Sequence, residues 1–164
     1  MSASTSRIVI IGGHGRVALL AAPLLVAGGH EVTSIIRDPA QADDVAATGA
    51  SPLVLSVEDA TVEELTRALT GADAVVWSAG AGGKGGPQRT DAVDRAAAIR
   101  SMEAAAAAGV RRYVMVSFIG AYGEVADDHP LRAYAVAKIA ADRHLQSTDL
   151  DWTILGPGLL TQDE

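Results

Sequence analysis

Hydrophobic positions along the chain alternate between two periods. Arg7-Ile-Val-Ile-Ile11 is a β-branched run that stops at Gly12-Gly13, and it reads as a strand buried on both faces. Over 17–27 the apolar positions Val17, Leu20, Ala21, Leu24 and Leu25 fall at helical spacing. Pro23 is placed to kink that helix and Gly28-Gly29 to end it. The alternation then repeats. Further strands are predicted over 31–36, 51–57, 72–77, 111–117 and 151–155, and helices over 39–48, 61–69, 91–108 and 131–146. Thr61 followed by Glu64 has the spacing of a capping box. Gly80-Ala-Gly-Gly-Lys-Gly-Gly-Pro87 is too rich in glycine for a regular element and predicts a mobile loop; 120–130 is a second loop.

Strand and helix in strict alternation argue for a parallel sheet covered on both faces. Right-handed crossovers make a doubly wound α/β sheet of the Rossmann type the leading architecture. Residues 1–6 are small and polar and read as a flexible tail. Residues 7–164 read as a single domain with no linker. A length of 164 residues agrees, since a domain averages about 150.

Composition narrows the function classes. Hydrophobic residues at 49% and charged residues at 20% fit a globular core. A net charge of −7 implies no basic face, so nucleic acid is not an expected partner. Cysteine is absent, which removes disulfides, thiolate zinc sites and cysteine nucleophiles. His14, His30, His129 and His144 show no metal-ligand spacing, and no metal is expected. No apolar run approaches the roughly 18 residues that span a bilayer, and the N-terminus lacks a signal-peptide pattern. A cytoplasmic location with no membrane partner is the expectation. A homodimer is left open.

The candidate chemistry begins at the first strand-to-helix turn. Gly12-Gly-His-Gly15-Arg-Val-Ala18 has the spacing Gly-x-x-Gly-x-x-Ala, a variant of the dinucleotide fingerprint. A tight turn needs unusual dihedrals, and a side chain there would push a diphosphate away from the backbone N–H groups. Gly12, Gly13, His14, Gly15, Arg16 and Val17 are therefore cofactor-binding candidates, although glycine also serves ordinary βα turns. His14 either contacts phosphate or faces solvent. After the second strand stands Arg37-Asp38. An arginine at that position can fork onto a 2′-phosphate, which favours NADP, while Asp38 keeps NAD open. Ser78-Ala79-Gly80 ends the fourth strand with small residues that admit the cofactor ribose.

Tyr134 and Lys138 stand at i and i+4 on one helix face. An ammonium beside a phenol lowers its pKa, and such a tyrosine can exchange a proton with a carbonyl oxygen as hydride moves. A surface helix pair has the same spacing. Ser117 closes the fifth strand at the edge that opens onto the ligand crevice, and its hydroxyl could bind a substrate oxygen. Asp94, in Asp91-Ala-Val-Asp94-Arg95, reads as a carboxylate in the opening turn of a helix, where the dipole alone favours it. Trp77, Trp152 and Phe118 read as core or pocket wall.

Together these pieces, with Gly109-Val-Arg-Arg-Tyr-Val-Met-Val-Ser117 and Leu150-Asp-Trp-Thr-Ile-Leu-Gly-Pro-Gly158, resemble the atypical short-chain dehydrogenase/reductase superfamily. They lie nearest its NmrA-like and flavin-reductase/biliverdin-reductase-B-like group. The resemblance spans 7–158 and implies a sheet in the order 3-2-1-4-5-6. It implies NADP held by 12–18, Arg37 and 78–80, with Ser117, Tyr134 and Lys138 as the active-site trio. Two departures stand out: Ser56 occupies the place of an adenine-binding Asp, and Gly156 that of an Arg. Members of the group continue into a small substrate-binding segment, which on this comparison is short or missing here. The expected function is NADPH-dependent reduction of a small molecule. The alternatives are an NADP-sensing regulator without turnover, and an epimerase that retains its cofactor.

Overall fold

Alternate residues of the first strand feed two separate cores. In β1 (Arg7–Ile11), Val9 and Ile11 point to one side of the sheet, and Ile8 and Ile10 to the other. Such a run must be covered on both faces, and it is. The computed structural model describes residues 4–122 and 125–161. The strands β1, β2 (Glu31–Ile36), β3 (Ser51–Val54), β4 (Ala74–Trp77), β5 (Arg112–Val116) and β6 (Asp151–Leu155) form one parallel sheet in the order β3-β2-β1-β4-β5-β6. The register pairs Ile11 with Ile35 on one side and with Trp77 on the other.

Two helices, α1 (Arg16–Ala27) and α2 (Ala42–Ala47), close one face. Ala18 and Ala22 of α1 pack there with Ile8, Ile10, Val32 and Val45, small residues letting the helix lie close to the strands. The other face carries α3 (Val62–Leu69), α5 (Ala98–Ala107) and α6 (Arg132–Gln146). Its core is larger: Leu65, Leu69, Trp77, Met102, Tyr113, Met115 and Leu145 are all fully or almost fully buried. Each such side chain contributes roughly 1.5–3 kcal/mol by leaving water. Tyr113 Oη meets Ser101 Oγ at 2.7 Å, which satisfies both buried hydroxyls. Thr61 caps α3 with the capping box that its spacing predicts.

The predicted topology holds, and the boundaries that differ most are those of β3, β4 and the 80–87 loop. Strand β3 ends at Val54 instead of 57. Beyond Leu55 the chain turns, with Asp59 N–H and Ala60 N–H both donating to Ser56 O, and Ser56 Oγ donating to Asp59. That local bonding competes with the ladder. Strand β4 begins at Ala74 instead of 72, because Gly71 holds a positive φ in a turn closed by Ala72 N–H on Leu69 O. The predicted mobile loop over 80–87 is shorter than expected. Helix α4 (Gly86–Thr90) starts inside it, with Pro87 in its first turn. It runs into a π-helical stretch, Asp91–Ala97, and then into α5. Of the expected 1–6 tail, residues 1–3 lie outside the described residues, and Ser6 is already tied to the sheet by accepting from Glu31 N–H. Among the described residues no helix is long and apolar enough to cross a membrane.

Candidate active site

The carboxyl ends of β1, β2, β4 and β5 open onto one cavity of about 600 Å³. That volume lies in the range of small-molecule and cofactor sites. At one end is the turn from β1 to α1. Gly12 and Gly13 N–H both donate to Ile35 O, at 3.1 and 2.8 Å, and Gly15 N–H closes onto Gly12 O at 3.0 Å. Gly12 has φ +84°, and a Cβ there would stand 2.5 Å from the Ala79 backbone. A Cβ at Gly13 would collide with Ser34 Cβ. Glycine is thus required by shape at both positions. Gly15 caps α1 without a side chain, and no acidic residue stands in the first turn. The leading N–H groups of α1 therefore have no intrahelical partner, and the positive end of its dipole is not neutralised locally. Gly15, Arg16 and Val17 line the cavity, so this helix end offers donors to an anion at a surface that no Cβ fills. The residues fit a dinucleotide diphosphate. His14 is held by Asp44 of α2, Nε2 to Oδ2 at 2.8 Å, and also lines the cavity.

At the other end the groups are buried side chains. Lys138 of α6 is 2% exposed, and its ammonium donates to Val116 O at 2.9 Å. One helical turn on, Asp142 accepts from Ser117 Oγ at 2.6 Å. Asp94, in the π-helical stretch, is 1% exposed and accepts from Ala81 N–H at 3.1 Å. Among the described residues Asp94 Oδ1 and Asp142 Oδ1 have no hydrogen-bond partner. Burial raises the pKa of both carboxylates above the ordinary range, though Lys138 pulls against it. Burial lowers the Lys138 pKa, and Asp94 and Asp142 oppose that. Tyr134 is half-buried, its ring tilted 57° against Phe118 with centroids 5.0 Å apart. Its pKa is raised, first by burial and then by the Asp94 and Asp142 charges.

A third group lines the wall between β2, β3 and α4. Glu58 Oε2 lies 3.1 Å from Arg89 Nε and 3.9 Å from Arg37 Nη1. Arg100 of α5 reaches under this wall. Its guanidinium donates to Val57 O, Glu58 O and Ala60 O at 3.0, 2.9 and 3.1 Å.

The residues that the sequence proposes for cofactor binding and catalysis line the same cavity: Gly12 to Val17, Arg37, Ser78, Ala79 and Gly80, Ser117, Tyr134 and Lys138; Asp38 does not. Two readings change. Asp94 is not in an opening helical turn; the helix begins at Gly86, and the π-helical stretch turns Asp94 inward against Gly80 and Ala81. Tyr134 is not an acidified phenol. Lys138 donates to Val116 O, and burial, ahead of the Asp94 and Asp142 charges, raises the phenol's pKa. Sequence reasoning misses Asp142, Glu58, Arg89 and Arg100. Asp142 had a signal, since Tyr134, Lys138 and Asp142 continue one i, i+4 series.

Known proteins share the sequence and fold of this chain. The family model described as NAD(P)H-binding matches residues 12–164. An uncharacterized sugar epimerase of Bacillus subtilis is 32% identical over 96% of this chain and 73% of its own length. A Bacillus halodurans structure, provisionally named an NAD-dependent epimerase/dehydratase, superposes with a TM-score of 0.88 at 33% identity, covering 97% of this chain and 73% of that one. The Bordetella bronchiseptica enzyme WbmG in complex with NAD superposes with a TM-score of 0.78 at 26% identity, covering 93% of this chain and 53% of that one.

Proposed function

The chain belongs to the NAD(P)H-binding family, and from that premise we propose that it is an oxidoreductase of the atypical short-chain dehydrogenase/reductase type that reduces a small carbonyl compound with NADPH. One observation carries the reading. A single cavity is lined both by the uncapped start of α1 and by Ser117, Tyr134 and Lys138. A nicotinamide held there would supply the hydride. The rest is the work of the chain's own groups. The glycine turn and the α1 N-terminus bind the diphosphate, and Arg37 takes the 2′-phosphate. Ser78, Ala79 and Gly80 leave room for the ribose. Tyr134 gives a proton to the substrate oxygen. With its pKa raised, the phenol is protonated at neutral pH, the form that a proton donor needs. Ser117 donates to Asp142, which leaves its oxygen lone pairs as acceptors for a polar group of the substrate. Lys138, anchored on Val116 O, holds positive charge that both carboxylates sense.

The test is loss of NADPH absorbance with purified protein and a panel of aldehydes, quinones and flavins. Turnover that disappears in Tyr134→Phe is the expected result. Tight NADPH binding with no turnover on any compound overturns it and leaves a sensor. A second reading, an epimerase that keeps its cofactor, is favoured by the names of the Bacillus relatives. Cofactor that co-purifies and survives gel filtration would select it.

A further inference from the structure

Three elements far apart in sequence bring charged side chains to one carboxylate oxygen. Arg37 follows β2, Glu58 lies in the turn after β3, and Arg89 belongs to α4. Both guanidiniums reach Glu58 Oε2, at 3.9 and 3.1 Å, and all three residues line the cavity. The backbone beneath Glu58 is fixed, since Arg100 holds the carbonyls of Val57, Glu58 and Ala60. The Glu58 side chain is the adjustable part. Arg89 is anchored a second time by donating to Lys84 O at 3.4 Å.

We propose that Arg37 and Arg89 together seat the 2′-phosphate of NADP, with Glu58 as the resident anion that this phosphate displaces. The inference rests on the NADPH reading above and deepens it. A phosphate monoester offers nearly two negative charges and three acceptor oxygens, and two planar guanidiniums match it better than one carboxylate does. A ribose that bears only a 2′-hydroxyl has no charge with which to displace Glu58, and leaves the Arg37–Glu58–Arg89 set intact. The same three residues therefore separate the two coenzymes: the arginines attract the phosphate and Glu58 raises the threshold that it must overcome.

Calorimetry on the full chain tests this with NADPH, NADH and 2′-AMP as titrants. Arg89→Ala is expected to weaken NADPH and 2′-AMP by about tenfold or more and to move NADH by less than about twofold. Arg89→Lys, which keeps the charge and loses the fork, falls between and guards against a folding defect. Glu58→Gln is expected to tighten NADPH by about tenfold while NADH stays level or weakens. If Glu58→Gln weakens both coenzymes equally, Glu58 is a general adenosine contact and the proposal fails. It fails too if Arg89→Ala leaves the NADPH-to-NADH ratio unchanged while Arg37→Ala still removes it, in which case the NADPH reading stands alone. A wild-type ratio near one that Arg37→Ala does not alter sinks both.

Discussion

The β1–α1 end of the cavity and the β5–α6 end are built from different kinds of group. At the first the working groups are backbone amides, and side chains matter by their absence. At the second they are ionisable side chains packed so closely that each shifts the others. A backbone site depends on shape and fails abruptly when a single carbon is added. A site of coupled charges is graded, and each change redistributes protons among the groups that remain.

The contrast breaks first at Gly12. Gly12→Ala puts a Cβ 2.5 Å from the Ala79 backbone at a positive φ. The expected loss is about 3 kcal/mol or more, with coenzyme binding abolished. A thermal melt and a calorimetric titration check it, and near-normal binding would mean that the turn is not the diphosphate seat. At the other end, Tyr134→Phe is expected to leave the melting temperature unchanged while turnover falls by about 10²–10⁴. The smallest effect sharpens the comparison. Asp94→Asn removes a charge that raises the Tyr134 pKa, so the alkaline limb of kcat/KM moves to lower pH. Because burial raises the Asp94 pKa, its contribution to stability is present below the ordinary value of 3.8 and lost as pH rises through the folded value. The Asn variant is therefore expected to melt higher than wild type at neutral pH, with the advantage shrinking as pH falls toward 3.8. A constant difference across that range would show that the Asp94 charge is not what the burial penalises.

The same division explains what could be read from the sequence. The alternation of strands and helices and the glycine turn after β1 were legible because glycine spacing and hydrophobic period are local signals; the sheet order came from the resemblance to the short-chain dehydrogenase/reductase superfamily. Ser117, Tyr134 and Lys138 were legible as residue types at the correct edge. The wrong start of the 91–108 helix hid Asp94. Gly85-Gly86-Pro87 looks like loop, yet Pro87 in a first turn is itself a start signal. The π-helical stretch that carries Asp94 packs against α6 and leaves no pattern in the sequence. Arg89 and Arg100 meet the 57–60 turn across 31 to 43 residues of chain, and these pairings belong to the tertiary fold.

Arg100 holds the turn after β3 by its carbonyls, which every residue type possesses. The side chain at 58, unlike the core-packed Val57 and Ala60, can therefore drift through evolution while the curve of that wall persists. Coenzyme preference could be rewritten on this turn one substitution at a time, with the scaffold indifferent to the change.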